Sequence, residues 1–164
     1  FNAPFDRPYD WTVSGDPVLQ ARTFGYFTTD DGLREVASYA NGIGPWKRYI
    51  VSTVTAGLPG QGEASRGLLA PNDLITRAHK AGLLVHTWTF RNEQRRLASD
   101  YAGNPVYEYL QFYKLGIDGV FSDFADTAVA ARVLFELEKN PDAAECLTGE
   151  FKNRWPRATC DRTH

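Results

Sequence analysis

One feature of this sequence restricts the possible folds most strongly. At two places a glycine ends a helical pattern and an apolar run follows immediately. Gly82 is followed by an apolar, β-rich run at residues 83–90, and Gly116 is followed by a second run at residues 117–124. Short connections from helix into strand, and strands that read as continuous apolar runs, are typical of parallel α/β sheets. The sequence therefore predicts an α/β fold with a parallel sheet.

The same alternation extends over most of the chain. Apolar residues recur at helical spacing in four segments, and β-type segments stand between them. The predicted elements are a helix after Thr29, a short segment at 42–45 with an apolar run at 49–54, a helix at 71–81, strand 83–90, a helix ending at Gly116, strand 117–124 and a last helix. We divide the chain into a connecting loop at residues 1–28, βα units at 29–139 and a polar tail at 140–164.

Composition narrows the class of protein. The chain has 164 residues, of which 43% are hydrophobic and 23% charged, which suits one globular domain. Its net charge of −2 offers no basic surface for nucleic acid, and no segment is apolar enough to span a bilayer. Methionine is absent and the chain begins at Phe1, so we expect a processed product or a fragment.

The two cysteines, Cys146 and Cys160, both lie in the polar tail. They are either free surface thiols or a disulfide, and no second cysteine pair or histidine stands at zinc-binding spacing. We predict the disulfide, because two exposed thiols are a liability and a bridge over such a loop contributes about 3 kcal/mol. A disulfide implies an oxidising compartment, either the periplasm or the cell exterior.

Polar and aromatic residues at the carboxyl ends of the predicted strands are the candidates for function, because ligands bind there in parallel α/β folds. His86 and Trp88 lie two residues apart on one strand and therefore point to the same side. The pair suits an anion-binding or proton-transferring site, or equally a hydrogen-bonded core histidine beside a packing tryptophan. Asp123 either orients a ligand or metal or caps the following helix. Lys47 either reaches a phosphate or is solvated, and His79 is interpreted as a surface or packing residue.

Three segments together carry a resemblance to a known family. Residues 39–47 (YANGIGPWK), 78–93 (AHKAGLLVHTWTFRNE) and 115–126 (LGIDGVFSDFAD) resemble the sixth-, seventh- and eighth-strand motifs of glycerophosphodiester phosphodiesterases of the periplasmic or secreted type. The last two motifs in tandem are the more specific signal. The resemblance covers roughly residues 10–135.

This resemblance implies a parallel (β/α)8 TIM barrel that hydrolyses glycerophosphodiesters to glycerol 3-phosphate and an alcohol. Such a barrel needs about 250 residues, so the chain corresponds to roughly the last three βα units. The family's catalytic His-Arg and Glu-Asn motifs belong to the first strands, and neither dipeptide occurs here. We therefore expect no catalytic residue and no metal ligand in this segment, and we expect the isolated chain to be inactive.

The resemblance also implies the site and the partners. The positions that best match the active-site lining are His86 and Trp88. Lys47, Phe121 and Asp123 are weaker matches, and all five are predicted to bind substrate. The full enzyme is expected to use a divalent cation, calcium or magnesium, bound by the missing N-terminal half of the barrel. Two alternatives remain open. One is another phosphodiesterase barrel of the phospholipase C or sphingomyelinase D kind, and the other is a non-catalytic half-barrel that binds phosphate esters.

Overall fold

The computed structural model describes residues 4–57 and 62–140, and within these ranges the chain forms six α-helices and five β-strands. The helices are α1 (Tyr9–Val13), α2 (Pro17–Ala21), α3 (Asp30–Ala37), α4 (Leu74–Lys80), α5 (Pro105–Leu115) and α6 (Ala125–Lys139). The strands are β1 (Gly42–Ile43), β2 (Thr53–Thr55), β3 (Arg66–Leu68), β4 (Leu84–Phe90) and β5 (Gly119–Ser122). Cys146 and Cys160, and hence the predicted disulfide, lie outside the described residues.

The main sheet is parallel and has the order β1-β4-β5. β1 pairs with β4 through Ile43 opposite Val85, and β4 pairs with β5 through Thr87 opposite Val120. Each of these strands follows a helix, as the glycine stops predict. The prediction of an α/β fold with a parallel sheet is confirmed.

Local signals explain where the helices begin and end. The Thr29 hydroxyl accepts a hydrogen bond from the backbone N–H of Gly32 at 3.1 Å and caps α3. Asn104 caps α5 in the same way by accepting from the N–H of Val106. Gly116 ends α5 with φ of +92°, a left-handed conformation that favours glycine.

The core lies between the sheet and the helices. Val85, Thr87 and Phe90 of β4 are fully buried, and Phe90 stacks on Tyr109 of α5 with ring centroids 4.8 Å apart. The opposite face of the sheet is open. Leu84 of β4 is 48% exposed there, and Phe121 of β5 is also an exposed apolar side chain. The alternation of side chains from Leu84 to Thr87 therefore separates a packed face from an exposed one, and an irregularity in the pairing between Thr87 and Phe90 returns Phe90 to the packed face.

Two regions differ from the sequence prediction. The stretch predicted to be an irregular connecting loop, residues 1–28, contains α1, α2 and a 3-10 turn at Phe24–Thr28. These elements are too short to show a helical period. In the apolar run at residues 49–54, only Thr53 and Val54 are in a strand, β2, which pairs antiparallel with β3 in a separate hairpin. No alternation marks β3, which is why the sequence does not predict the hairpin.

Asp118 links three elements at the amino end of the sheet. Its Oδ2 accepts hydrogen bonds from the backbone N–H of Val85 at 2.8 Å and lies 2.9 Å from Nε2 of His79 on α4. Burial by itself raises the pKa of the Asp118 carboxyl, but these hydrogen bonds outweigh it and hold that pKa below its ordinary value of 3.8. His79 is thus a surface residue with a structural partner.

We predict that Asp118→Asn lowers the free energy of unfolding at neutral pH by about 1 kcal/mol, the typical value of a hydrogen bond. Because the folded-state pKa is depressed, the contribution of the carboxylate is present above pH 3.8 and is lost as the pH falls through the folded-state pKa. Urea unfolding of both proteins over a pH series should show the difference shrinking on acidification. A difference that is constant with pH would contradict this assignment.

Candidate functional site

His86 is the third of the seven residues of the central strand β4 and pairs with Gly119, the first residue of β5, so it lies further from the carboxyl end than the sequence predicts. Its side chain is on the exposed face of the sheet. Its ring packs edge-to-face with Phe121 of β5, with centroids 6.4 Å apart. Both residues line a shallow cavity of about 320 Å³ above the strands. Of the two roles open to His86 from the sequence, that of a core histidine does not apply within the described residues, because its side chain faces open space while Val85 and Thr87 face the core.

Gly119 gives the His86 ring its place. It stands opposite His86 in the β4–β5 register, and a Cβ at this position would come within 2.8 Å of Cδ2 of the ring. A side chain at residue 119 would therefore displace the imidazole. The close approach of β5 to β4 at Gly119 therefore positions the His86 ring, which is the candidate ligand-binding group.

Trp88 connects β4 to the segment after β1. Its indole Nε1–H donates to the carbonyl oxygen of Gly44 at 2.9 Å, and its backbone forms an isolated parallel bridge with Trp46. The Trp88–Thr89 peptide bond is cis. Trp88 therefore holds β4 against the segment that follows β1. It lies in the carboxyl half of β4, as the sequence predicts.

Asp123 is paired with an arginine rather than used as a helix cap. Its Oδ2 lies 3.0 Å from NH1 of Arg91, whereas α6 is preceded by Phe124 without a side-chain cap. The backbone N–H of Phe124 donates instead to the hydroxyl of Ser122 at 2.9 Å. The interpretation of Asp123 as an N-cap is therefore wrong, and the carboxylate stays at the carboxyl end of β5.

Arg91 also binds Glu93, so one guanidinium joins two carboxylates. Its Nε and NH2 lie 3.1 Å and 2.6 Å from the two oxygens of Glu93, a bidentate pair. The hydrogen bonds from Arg91 lower the pKa of Glu93 to about 2. Arg91 and Glu93 are within the motif at residues 78–93, but they follow the strand, and the sequence pattern alone does not identify them as site residues.

Lys47 does not join His86 and Trp88. Its side chain is buried, and its Nζ lies 2.6 Å from Oε2 of Glu108 on α5. Burial lowers the pKa of Lys47, and burial raises the pKa of Glu108, while the attraction between the two charges opposes both shifts. The structure supports neither the predicted role of Lys47 in substrate binding nor the alternative of a solvated lysine, because the buried ammonium is held by Glu108 on the helix side of the sheet.

The Lys47–Glu108 pair belongs to a larger buried ion network, formed by Lys47, Arg48, Glu63 and Glu108. NH2 of Arg48 lies 3.1 Å from Oε1 of Glu108 and also contacts the carboxylate of Glu63. NH1 of Arg48 donates to the carbonyl oxygen of Val51 at 3.3 Å. No local pattern marks Glu108, because a glutamate in an amphipathic helix ordinarily faces solvent.

A divalent cation does not fit the carboxyl end of this sheet. Within residues 4–57 and 62–140, no three side chains of histidine, cysteine, aspartate or glutamate lie close enough together to hold a metal ion. The carboxylates of Glu93 and Asp123 are both paired with Arg91, whose positive charge stands where a cation would have to bind. We therefore derive no chemical step through a metal from these residues.

The fold and the site define an α/β protein with a parallel sheet and with charged and aromatic groups beyond the carboxyl ends of its strands. Comparison with known proteins is consistent with that class. The sequence model of the glycerophosphoryl diester phosphodiesterase family matches residues 10–127. The chain therefore belongs to this family, whose members fold as TIM barrels.

Individual relatives agree with the family match. The chain is 36% identical over 104 residues to glycerophosphodiester phosphodiesterase GDPD6 of Arabidopsis thaliana, covering 63% of this chain and 25% of that protein. It is 39% and 37% identical over 113 residues to GDPDL1 and GDPDL3 of the same plant, covering 67% of this chain and 13% of each relative. The chain thus spans a quarter or less of the length of these relatives. In the part of the chain that the structure describes, no helix is both long and apolar enough to cross a membrane.

We predict that Glu108→Gln lowers the free energy of unfolding by about 3–5 kcal/mol, because it leaves two buried cations short of a counter-charge. Urea unfolding measures the change. The double variant Lys47→Met with Glu108→Leu should recover a large part of the loss, since it removes a buried charge pair together.

A surface pair provides the matched control for this experiment. Glu138 lies 2.7 Å from Nζ of Lys114, and both side chains are about half exposed. Glu138→Gln should change the free energy of unfolding by less than about 1 kcal/mol. Equal effects of the two glutamine substitutions would show that the buried ion network has no special role in stability.

Proposed function

We propose that this chain is part of a glycerophosphodiester phosphodiesterase, which hydrolyses a glycerophosphodiester to glycerol 3-phosphate and an alcohol. The observation that supports this most is the position of His86, exposed beside Phe121 on the open face of the central strand in a chain that belongs to the family. An imidazole N–H there can donate a hydrogen bond to a phosphoryl oxygen. Trp88 and Phe121 would bound the same pocket, and Asp123 would orient Arg91 beside it.

We propose further that the chain supplies roughly the last three βα units of the barrel, those built on β1, β4 and β5. Each outer strand of the described sheet has a single neighbour in it, and an open sheet edge is a site for further pairing. The face that carries Leu84 and Phe121 is apolar and exposed, as expected of a barrel interior that other strands would complete. The N-terminal half of the same barrel is the proposed partner.

Enzymes of this family generally depend on a divalent cation, and we propose calcium or magnesium, held by carboxylates of the N-terminal half. The cation would neutralise charge on the phosphoryl group. The residues described here would bind and orient the diester. Neither a His-Arg nor a Glu-Asn dipeptide occurs in the sequence, so the catalytic pairs of the family would also come from that half.

To test this function, glycerol 3-phosphate release by the full-length protein is measured for wild type and His86→Asn. We expect the substitution to lower kcat/KM about tenfold to hundredfold, the value of one hydrogen bond to a charged group. His79→Asn is the matched control, because His79 lies at the amino end of the sheet. The isolated 164-residue chain should release none.

Other outcomes would favour the alternatives. Turnover of sphingomyelin or phosphatidylinositol without turnover of any glycerophosphodiester would indicate a barrel of the sphingomyelinase D or phospholipase C kind. Phosphate-ester binding by a two-fold dimer, without turnover, would indicate a non-catalytic half-barrel. Hydrolysis by the isolated chain would contradict the proposed division of the barrel.

We also propose a periplasmic or secreted location, supported by the two cysteines of the polar tail. If Cys146 and Cys160 are bridged, the intact mass of the protein should rise by two hydrogens on reduction, and neither thiol should be alkylated beforehand. Such a bridge persists only in an oxidising compartment. Alkylation of both thiols without reductant would overturn this proposal.

A further inference from the structure

A second cavity, of about 630 Å³, lies beside Trp46 and is lined by four arginines. The arginines are Arg48, Arg66, Arg95 and Arg96. Arg48 and Arg66 lie in the connection between β1 and α4, and the other two lie between β4 and α5. All four thus belong to the loops that leave the carboxyl ends of parallel strands, where ligands bind in this class of fold. We call this space the arginine cavity.

The arginine cavity carries an excess of positive charge. Its one acidic lining residue, Glu63, is already held by Arg48 of the buried ion network. Among the described residues, Arg66, Arg95 and Arg96 form no ion pair with a carboxylate. Arg66 is oriented by Thr53, whose hydroxyl accepts from its Nε at 2.8 Å. Three cationic groups therefore converge on one space without a matching anion.

A second observation also points to a ligand. Arg48 is 6% exposed and lines the cavity, yet its Nε–H has no hydrogen-bond partner in the described part of the chain. An unsatisfied buried donor is unfavourable by about 1–3 kcal/mol, more when it is charged. The Nε atom is itself closed to solvent, so an acceptor oxygen in the cavity would reach this donor after a small shift of the Arg48 side chain. The site therefore favours an oxygen-rich anion.

The cavity adjoins the site that contains His86 and Trp88. Trp46 lines the cavity, and its backbone is bridged to that of Trp88. A diester whose phosphoryl group lies near His86 would therefore extend one of its two ends toward the arginines. Because every glycerophosphodiester shares the glycerol phosphate end, only the alcohol end distinguishes one substrate from another.

We propose that the arginine cavity binds the alcohol part of the substrate and selects diesters whose alcohol carries negative charge, such as a phosphorylated polyol. This inference rests on the proposed phosphodiesterase function. Three unpaired guanidinium groups attract an additional phosphate and repel the quaternary ammonium of choline. Diesters of choline and ethanolamine should accordingly be poor ligands.

The test measures binding and turnover separately in the full-length protein. Calorimetric titration with glycerophosphoinositol 4-phosphate and with glycerophosphocholine gives the preference. We expect the anionic diester to bind at least about tenfold more tightly, and more weakly as salt is raised. Arg95→Gln with Arg96→Gln should reduce the affinity for glycerophosphoinositol 4-phosphate about tenfold or more and leave that for glycerophosphoglycerol, whose alcohol is uncharged, almost unchanged.

The control variant is Arg34→Gln with Arg132→Gln, which removes the same charge from the exposed surfaces of α3 and α6. It should preserve the preference. Equal loss of affinity in both double variants would mean that net charge alone acts, and would overturn the proposal. Equal or tighter binding of glycerophosphocholine by the wild type would overturn it as well.

Turnover distinguishes a failure of this inference from a failure of the proposed function. If the full-length protein hydrolyses no glycerophosphodiester, the proposed function fails while the titrations still report on the cavity. Vesicles of phosphatidylcholine with phosphatidylinositol 4-phosphate distinguish the source of the anion. Vesicle binding that the soluble diester displaces indicates a lipid headgroup, and binding of the soluble diester alone indicates a deacylated substrate.

Discussion

The position of the loop after β1 depends on the ion pairs that the buried carboxylate of Glu108 forms. It is fully buried on α5 and accepts contacts from Lys47 and Arg48, which follow β1 directly. These contacts attach the loop after the first strand to the helix that precedes the last strand. Because Arg48 also engages Glu63, the same carboxylate indirectly orients the wall of the arginine cavity. Burying such charges is favourable only when each has a partner, so the loop has few alternative positions.

The two ends of the sheet differ in how their polar groups are paired. At the amino end, Asp118 ties β4 and α4 together by hydrogen bonds within the protein. Beyond the carboxyl end, Arg91 joins Glu93 and Asp123, but Arg66, Arg95 and Arg96 of the arginine cavity have no carboxylate partner among the described residues. The groups around Asp118 thus pair with one another, whereas the loops at the carboxyl end retain guanidinium groups without a counter-charge. That asymmetry is characteristic of parallel βα architectures, in which stability and function are separated.

Most of the main sheet could be predicted from the sequence, because its signals are local. The glycine after α5 and the apolar run of β4 each depend on a few adjacent residues. The hairpin of β2 and β3 could not be predicted, since its short strands carry no alternation. The role of Lys47 was equally inaccessible, because its partner lies 61 residues further along the chain. Likewise, the positions of Arg95 and Arg96 beside Arg66 follow from tertiary contacts that no spacing encodes.

Gly119 shows how a missing side chain can shape a binding site. The His86 ring occupies the space that a Cβ of residue 119 would need, so the imidazole can lie flat across β5 only while that position stays empty. The orientation of the histidine therefore depends on the residue opposite it in the adjacent strand. The two positions act as one structural unit, and a variant that replaces this glycine is expected to reorient the imidazole even though the histidine itself is retained.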